Sequence, residues 1–293
     1  MARRVLWLFL VVLAQTWLGP AFADAAHAGS AAALRARYAE LSDRLARSPF
    51  GRPLALESRQ TGDLLQGEVY AAVEHRFADV RDSLKGARQW CDVLILHLNV
   101  KSCRPAPGGG LTVYLGRKFS QPLSDAFRLD FAFRVAADSP DFLEVALRAD
   151  QGPFGTRDYG IRLEAAPLDA THSFLVLSYS YAYGMTARIA MQAYLATLGS
   201  GKVGFTVIGK RADGAPEYVG ELRGVIERNV MRYYLAIDAY LGAMSAPPAA
   251  RPEKSMRAWF AATERYALQL HEIGQAEYLE MKRAEILRQV RGR

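Results

Sequence analysis

Four alternating segments between Phe127 and Tyr183 constrain the fold of this chain more than any other feature. In FRLDFAFRV, FLEVALRA, YGIRLEA and SFLVLSYSYAYG, apolar residues recur at every second position. Because successive side chains of a strand point to opposite faces, this period predicts strands with one buried face. The turns between the segments are short, which favours consecutive antiparallel strands. In the first segment, the residues expected to point inward are Phe127, Leu129, Phe131, Phe133 and Val135.

One long amphipathic helix follows these segments. Residues 221–244, ELRGVIERNVMRYYLAIDAYLGAM, keep an apolar period of 3.6 for about six turns. A sheet with one apolar face must cover that face, and a single long helix is the simplest cover. The sequence therefore predicts an α+β fold, in which a curved antiparallel sheet grips a long C-terminal amphipathic helix, with extra helices and a hairpin.

Smaller elements are predicted ahead of the alternating segments. Residues 31–47 have the spacing of a surface helix, and the prolines after it indicate a break. Residues 64–75 alternate like a half-buried strand. Residues 78–95 predict two short helices with a kink at Gly86, and a further strand begins at Leu111.

Other segments flank the long helix. Residues 186–199 predict a helix, and residues 203–220 predict a small hairpin with Asp213-Gly214 at its turn. After the long helix, a proline-rich linker leads to two more helices, of which the last is highly charged.

This order of elements resembles the helix-grip fold of the START-related, SRPBCC-type lipid- and hydrophobe-binding proteins. QGEVYAAVEHRFADVRDSL, residues 66–84, resembles the first strand of such domains entering their first helix, and GVIERNVMRYYLAIDAYL, residues 224–241, resembles their closing helix. The resemblance spans residues 62–243 and implies a cavity for a hydrophobic ligand between sheet and helix. Residues 185–219 and 250–293 depart from the order of that family.

The first 23 residues have the layout of a secretory signal peptide. Two arginines precede an apolar run, and the small-residue pattern Ala21-Phe22-Ala23 follows it. The alternative is a retained membrane anchor, but Gln15 and Gly19 interrupt the run before the roughly 20 apolar residues that a spanning helix needs. We therefore expect cleavage after Ala23 and export to the periplasm.

The predicted organisation of the chain follows from these boundaries. It consists of a signal peptide at 1–23, an N-terminal helix and linker at 24–61, a START-like helix-grip domain at 62–243 with an insertion at 185–219, and a C-terminal linker and helical extension at 244–293.

The only two cysteines, Cys91 and Cys103, are twelve positions apart. In an oxidising compartment such a pair most simply forms one disulfide. A zinc site would need more ligands, but the five histidines show no paired spacing and there is no CxxC motif. We therefore predict a structural disulfide, and neither a bound metal nor a cofactor.

The net charge does not favour a nucleic-acid partner. The formal charge is +7, to which the two arginines of the predicted signal peptide contribute two, and the other basic residues are scattered along the chain. Because nucleic acid is absent from the periplasm, we expect no such partner. The expected partner is a hydrophobic small molecule or lipid, with a weak, transient attraction to anionic membrane surfaces as a secondary expectation.

The candidate ligand-binding residues lie on the last long strand and on the long helix. Tyr179, Tyr181 and Tyr183 share one strand face; pointing inward, their phenols would line the grip, and otherwise they would be structural. Asn229 lies on or beside the apolar stripe of the helix and needs a partner, from a strand or from a ligand. The predicted ligand-binding set is Tyr179, Tyr181, Tyr183, Leu222, Ile226, Asn229 and Tyr233.

No catalytic motif accompanies these residues. GxSxG, HExxH and P-loop motifs are absent, and the glycine run at 108–110 precedes a strand rather than a helix. His75 and His97 are expected to be core histidines with hydrogen-bond partners. Enzymes of the resembled fold include cyclases and hydroxylases, but no catalytic residue can be carried over from them.

Three functions therefore stay open. The first is periplasmic binding or transfer of a lipid or other hydrophobic molecule in the cavity of a START-like domain. The second is an enzyme that acts on such a molecule in the same cavity. The third is a non-liganded envelope protein that docks a partner through its extra helices.

Overall fold

The computed structural model describes residues 29–185, 188–189 and 201–291, and its centre is one antiparallel sheet. The strands are β1 (Leu54–Thr61), β2 (Leu64–Val73), β3 (Val100–Pro105), β4 (Leu111–Leu115), β5 (Phe127–Asp138), β6 (Leu143–Gln151), β7 (Thr156–Pro167), β8 (Ser173–Tyr183), β9 (Val207–Lys210) and β10 (Pro216–Tyr218). The first eight form the sheet in the spatial order β1-β2-β8-β7-β6-β5-β4-β3, and β9 pairs with β10 in a separate hairpin.

Helices cover both faces and one edge of this sheet. The helices are α1 (Ala31–Ala46), α2 (Phe77–Leu84), α3 (Ala87–Leu94), α4 (Glu221–Ala243), α5 (Arg251–Glu264), α6 (Ala267–Leu270) and α7 (Gln275–Arg291). Among the described residues, no helix combines the length and the apolar character needed to cross a membrane.

The predicted meander of antiparallel strands is confirmed. Strands β5 to β8 pair consecutively, and Leu163 on β7 lies between Val145 on β6 and Leu177 on β8. All three side chains are buried, as their alternation predicts. The prediction for Phe127 is wrong. Its side chain was expected to point inward but is 45% exposed. It is the first residue of β5, at the end of the sheet, where its ring packs on the exposed ring of Phe154.

Helix α4 covers what we call the inner face of the sheet, and the predicted helix-grip arrangement is therefore present. Ile226 and Val230 are fully buried against β2. Gly67 of β2 makes this close approach feasible, because a Cβ at that position would lie only 2.9 Å from Val230 Cγ1. Burial of each aliphatic side chain of this helix contributes about 2 kcal/mol.

Helix α1 packs on the opposite, outer face by its apolar stripe and exposes its polar side, as predicted for a surface helix. Leu34, Leu41 and Leu45 are buried there, together with Phe174 and Val176 of β8. The sheet thus has two apolar layers, one under α4 and one under α1.

Two strands were missed by the sequence analysis. β1 falls in the segment predicted as a linker, because LALESRQT is polar after its first three residues and shows no alternation. β3 falls in a segment predicted to lead into a loop. Both strands lie at the edges of the sheet, at the two ends of the spatial order.

Helix α7 covers the edge formed by β3. Gln289 Oε1 accepts a hydrogen bond from the Cys103 N–H at 2.9 Å. Lys282 Nζ donates to the carbonyl oxygens of His97 and Val100 at 2.7 and 2.9 Å. An edge strand otherwise presents unpaired backbone groups. The C-terminal extension is therefore built into the domain.

Cys91 and Cys103 form a disulfide that joins α3 to β3. The predicted hairpin is also present, and Gly214 takes a positive φ of 81° at its turn. The predicted signal peptide and most of the helix predicted for 186–199 lie outside the described residues.

Candidate functional site

A row of aromatic side chains crosses the inner face of the sheet and continues onto α4. Ring centroids along it are separated by 6.5 Å for Phe131 and Tyr159, 5.5 Å for Tyr159 and Tyr181, 5.8 Å for Tyr181 and Tyr179, 5.1 Å for Tyr179 and Tyr233, and 4.7 Å for Tyr233 and His97. We call these six residues the aromatic row. Such edge-to-face and offset contacts are favourable and hold the rings in fixed orientations.

The structure brings part of the predicted ligand-binding set together. Tyr179 on β8 contacts Tyr233 on α4, and Tyr181 extends the row toward the end of the strand. At this contact the two rings touch, so any ligand space lies beside the Tyr179–Tyr233 pair rather than between its members. The apolar space itself stays a prediction.

The other members of the set lie around the row. Leu222 and Ile226 are buried on α4. Tyr183 is also buried, but its hydroxyl accepts a hydrogen bond from Gln60 Nε2 at 2.8 Å, so it has a partner within the protein. Asn229 is half-buried and lies beside the stripe formed by Ile226 and Val230 rather than on it.

Burial keeps the phenols of the row protonated. Desolvation raises the pKa of Tyr179 well above its usual value, and Tyr233 beside it raises the pKa further. Desolvation raises the pKa of Tyr233 as well. These hydroxyls can therefore donate hydrogen bonds at any physiological pH. Neither makes a hydrogen bond within the part of the chain that the structure describes.

His97, at the end of the row, is neutral, and only one of its two ring nitrogens has a hydrogen-bond partner among the described residues. Burial lowers its pKa well below the usual value, and the neighbouring cations Arg232 and Lys282 lower it further. The Asn99 N–H donates to His97 Nδ1 at 3.2 Å, so the proton of the neutral ring is on Nε2. His97 Nε2 is buried without a partner among the described residues. The expectation of a fully hydrogen-bonded core histidine is thus wrong for His97.

An ionic cluster of buried Arg232 with half-buried Glu272 and Lys118 lies near His97. Glu272 accepts from Arg232 and Lys118 at 2.7 and 2.6 Å. Burial alone would raise the pKa of Glu272, but these two cations outweigh it and lower the pKa. Burial lowers the pKa of Lys118 to about 8. The sequence analysis missed this cluster, because its members come from three distant segments and no local motif connects them.

The sequence analysis also missed Glu227, a fully buried carboxylate on α4. It accepts hydrogen bonds from the backbone N–H groups of Phe205 and Thr206 at 2.6 and 2.9 Å. The hydroxyls of Thr206 and Ser58 donate to its other oxygen at 2.6 and 2.5 Å. Glu227 therefore fastens the segment before the β9–β10 hairpin to both α4 and β1.

An open groove of about 370 Å³ lies beside this fastened segment, on the outer edge of β1. We call it the edge groove. Its lining combines apolar and arginine side chains and consists of Arg44, Arg47, Pro49, Phe50, Leu54, Ala55, Leu56, Phe205, Thr206 and Val207. None of these residues belongs to the aromatic row or to the predicted ligand-binding set.

Within the described ranges, no group of three or more histidine, cysteine or acidic side chains is placed so that it could hold a metal ion.

Comparison with known proteins adds only structural likenesses. No family's sequence profile matches the chain, and no curated protein matches it. Among solved structures, a START superfamily protein from Mycobacterium smegmatis covers 46% of this chain and 91% of its own, with 12% identity and a TM-score of 0.29. The Zhui aromatase/cyclase from Streptomyces sp. R1128 covers 70% and 94%, with 10% identity and a TM-score of 0.32.

Norcoclaurine synthase from Thalictrum flavum, solved with dopamine and hydroxybenzaldehyde, covers 50% of this chain and 82% of its own. Its identity is 13% and its TM-score is 0.31. Likenesses at this level carry no functional conclusion. The helix-grip description therefore rests on the sheet order and on the position of α4.

Proposed function

We propose that this chain binds a hydrophobic small molecule, such as a lipid, against the aromatic row. The observation that carries the proposal is a set of three polar atoms, Tyr179 Oη, Tyr233 Oη and His97 Nε2. All three belong to buried side chains of one row; His97 Nε2 is itself buried without a partner, and neither phenol makes a hydrogen bond to a described residue. Buried polar groups in proteins nearly always have a partner. A ligand with an apolar body and one or two polar groups would supply it.

We also propose that the chain acts in the periplasm, after removal of residues 1–23. The signal-like N-terminus supports this location. The Cys91–Cys103 disulfide supports it too, because structural disulfides persist in oxidising compartments.

The first experiment asks what the purified protein carries. The exported protein is extracted with organic solvent, and the extract is examined by mass spectrometry. A co-purifying lipid or other hydrophobic molecule is the expected result. If added lipid is instead converted to a product, the chain is an enzyme that uses the same cavity. A protein that carries nothing and binds no added lipid contradicts the proposal.

A second experiment tests the position of the ligand. Replacing Tyr233 by Phe removes a hydroxyl that has no partner among the described residues, so the unliganded protein should be as stable as the wild type. Loss of a hydrogen bond to the ligand should weaken its binding about fivefold. The matched control is Ser180→Ala, which removes a hydroxyl from the opposite face of β8. Equal effects of the two variants would count against a ligand on the aromatic row.

A further inference from the structure

The edge groove carries a second inference, separate from the aromatic row. Its volume of about 370 Å³ falls within the range of small-ligand pockets. We infer that it binds a single-chain amphiphile with a negatively charged head, such as a fatty acid.

The apolar part of the groove is fixed in shape. Phe50 and Phe205 form a wall with ring centroids 5.6 Å apart, and Leu56 of β1 lines the groove with 8% of its surface exposed, whereas Leu54 is fully buried. Tyr266 supports both rings from behind, at 6.0 and 5.7 Å, and its hydroxyl donates to the Phe50 carbonyl oxygen at 2.9 Å. A hydrocarbon chain can therefore pack on this wall without rearranging it.

The charged side chains that line the groove are both positive. Arg44 and Arg47 line it at the end of α1, and none of the described residues that line it is a carboxylate. Arg44 pairs with Glu57 and Arg47 with Asp43, but all four side chains are at least one-third exposed. Ion pairs of this exposure contribute about 1 kcal/mol or less, so an anionic head can compete with them.

A peptide strand fits the groove less well than an amphiphile. A strand that added to β1 would need the outward backbone groups of this edge. The Ser48 hydroxyl already donates to the Leu54 carbonyl oxygen at 2.6 Å, and Arg223 Nη2 donates to that of Ser58 at 3.3 Å. Two side chains thus block the pairing sites on either side of Leu56, while the apolar wall stays open.

The test uses dodecanoate and the purified full-length exported protein. Calorimetric titration below the micellar concentration should show binding, and uncharged 1-dodecanol should bind at least tenfold more weakly. Arg47→Glu should weaken dodecanoate binding about tenfold by opposing the head. Val207→Asp, which places a charge in the apolar part of the groove, should do the same.

Two matched controls separate the groove from general surface effects. Arg35→Glu reverses a half-exposed arginine of the same helix α1, near Asp141 rather than in the groove. Ile208→Asp changes the neighbour of Val207 on β9; both side chains are 56% exposed, but only Val207 lines the groove. Both controls should bind dodecanoate within twofold of the wild type.

Several results would overturn the inference. These are no binding of dodecanoate, equal binding of 1-dodecanol, equal losses in the controls, or attachment only to vesicles that contain anionic phosphatidylglycerol. A loss in Tyr181→Trp but not in Arg47→Glu or Val207→Asp would place the ligand on the aromatic row. That result rejects the groove and leaves the proposed function intact.

Discussion

At the scale of single residues, buried charges connect distant parts of this chain. Glu227 is fully buried and accepts four hydrogen bonds, from Ser58 on one side and from the segment at 205–206 on the other. Every donor around it requires an acceptor. A carboxylate is therefore the best side chain at this position, because both of its oxygens accept only.

The variant Glu227→Gln should be less stable than the wild type. Its amide oxygen could still accept from the two backbone N–H groups, but its nitrogen would require the Ser58 and Thr206 hydroxyls to turn and accept, and the charge of the acceptor would be lost. We expect this to cost about 1–3 kcal/mol in the free energy of unfolding, as measured in urea. Hydrogen exchange at Phe205 and Thr206 should accelerate at the same time. Glu217→Gln, at an exposed position on β10, serves as the control. An unchanged free energy of unfolding would show that the hydrogen bonds of Glu227 do not hold residues 205–206 against α4 and β1.

Glu164 on the outer face gives a prediction of pH dependence. Burial raises its pKa to about 7; Arg162 opposes this rise, and the carboxylates of Glu144 and Glu68 add to it. Its ordinary value is 4.5. Because the folded pKa is the higher one, the stabilising contribution of the protonated group is complete below pH 4.5. It is lost as the pH rises through 7.

The variant Glu164→Gln should therefore remove part of the pH dependence of folding. Between pH 5 and pH 8 we expect the wild type to lose about 2 kcal/mol more free energy of unfolding than the variant. Urea unfolding at both pH values measures this difference. Glu74→Gln, at an exposed position, should behave like the wild type. Parallel pH profiles of wild type and Glu164→Gln would contradict the assignment.

At the scale of elements, the spacing of apolar residues explains which helices and strands the sequence could predict. The central strands alternate because one face lies under α4, and the period of α4 follows from its own buried stripe. The edge strands β1 and β3 lack this signal, since they are short or polar at one end. In the candidate site, the spacing of apolar residues predicted that Tyr179 and Tyr233 lie on buried faces. It could not show His97 or Glu227, whose surroundings come from distant segments.

Helix α7 gives the prediction that belongs to this scale. Lys282 and Lys101 share the buried carboxylate of Glu285 at 2.8 and 3.2 Å. Replacing Lys282 by Met leaves two backbone carbonyls and part of this carboxylate without a donor, which costs about 3–5 kcal/mol in the free energy of unfolding. Lys254→Met, on the exposed side of α5, is the control. A loss below 0.5 kcal/mol, roughly the range of surface substitutions, would contradict this account of α7.

At the scale of the whole molecule, the disulfide and the N-terminus give two tests of the proposed export. Thiol titration of the denatured, unreduced protein should find no free thiol on Cys91 or Cys103. The double variant Cys91→Ser/Cys103→Ser should lose about 3 kcal/mol of stability, the amount expected for a loop of this length. Two titratable thiols per chain would show that the exported protein lacks the bond.

The mature N-terminus is tested by the intact mass of the exported protein. We expect a mass that lacks residues 1–23, because Ala21 and Ala23 are the small residues that a signal peptidase requires. A mass that includes Met1 would indicate a retained anchor. It would overturn the proposed periplasmic carrier, while the fold and the edge groove would be unaffected.

Because α7 covers the edge strand β3, the delay between the synthesis of β3 and that of α7 has a consequence for folding. Gln289 and its partner Cys103 are 186 positions apart in sequence. At the usual rate of translation, α7 follows β3 by roughly 10 to 40 s. A chain that folded as it emerged would present an uncovered strand edge to its neighbours throughout that interval. A chain held unfolded until synthesis ends avoids the interval, and the disulfide partners, only 12 positions apart, can meet before α7 exists.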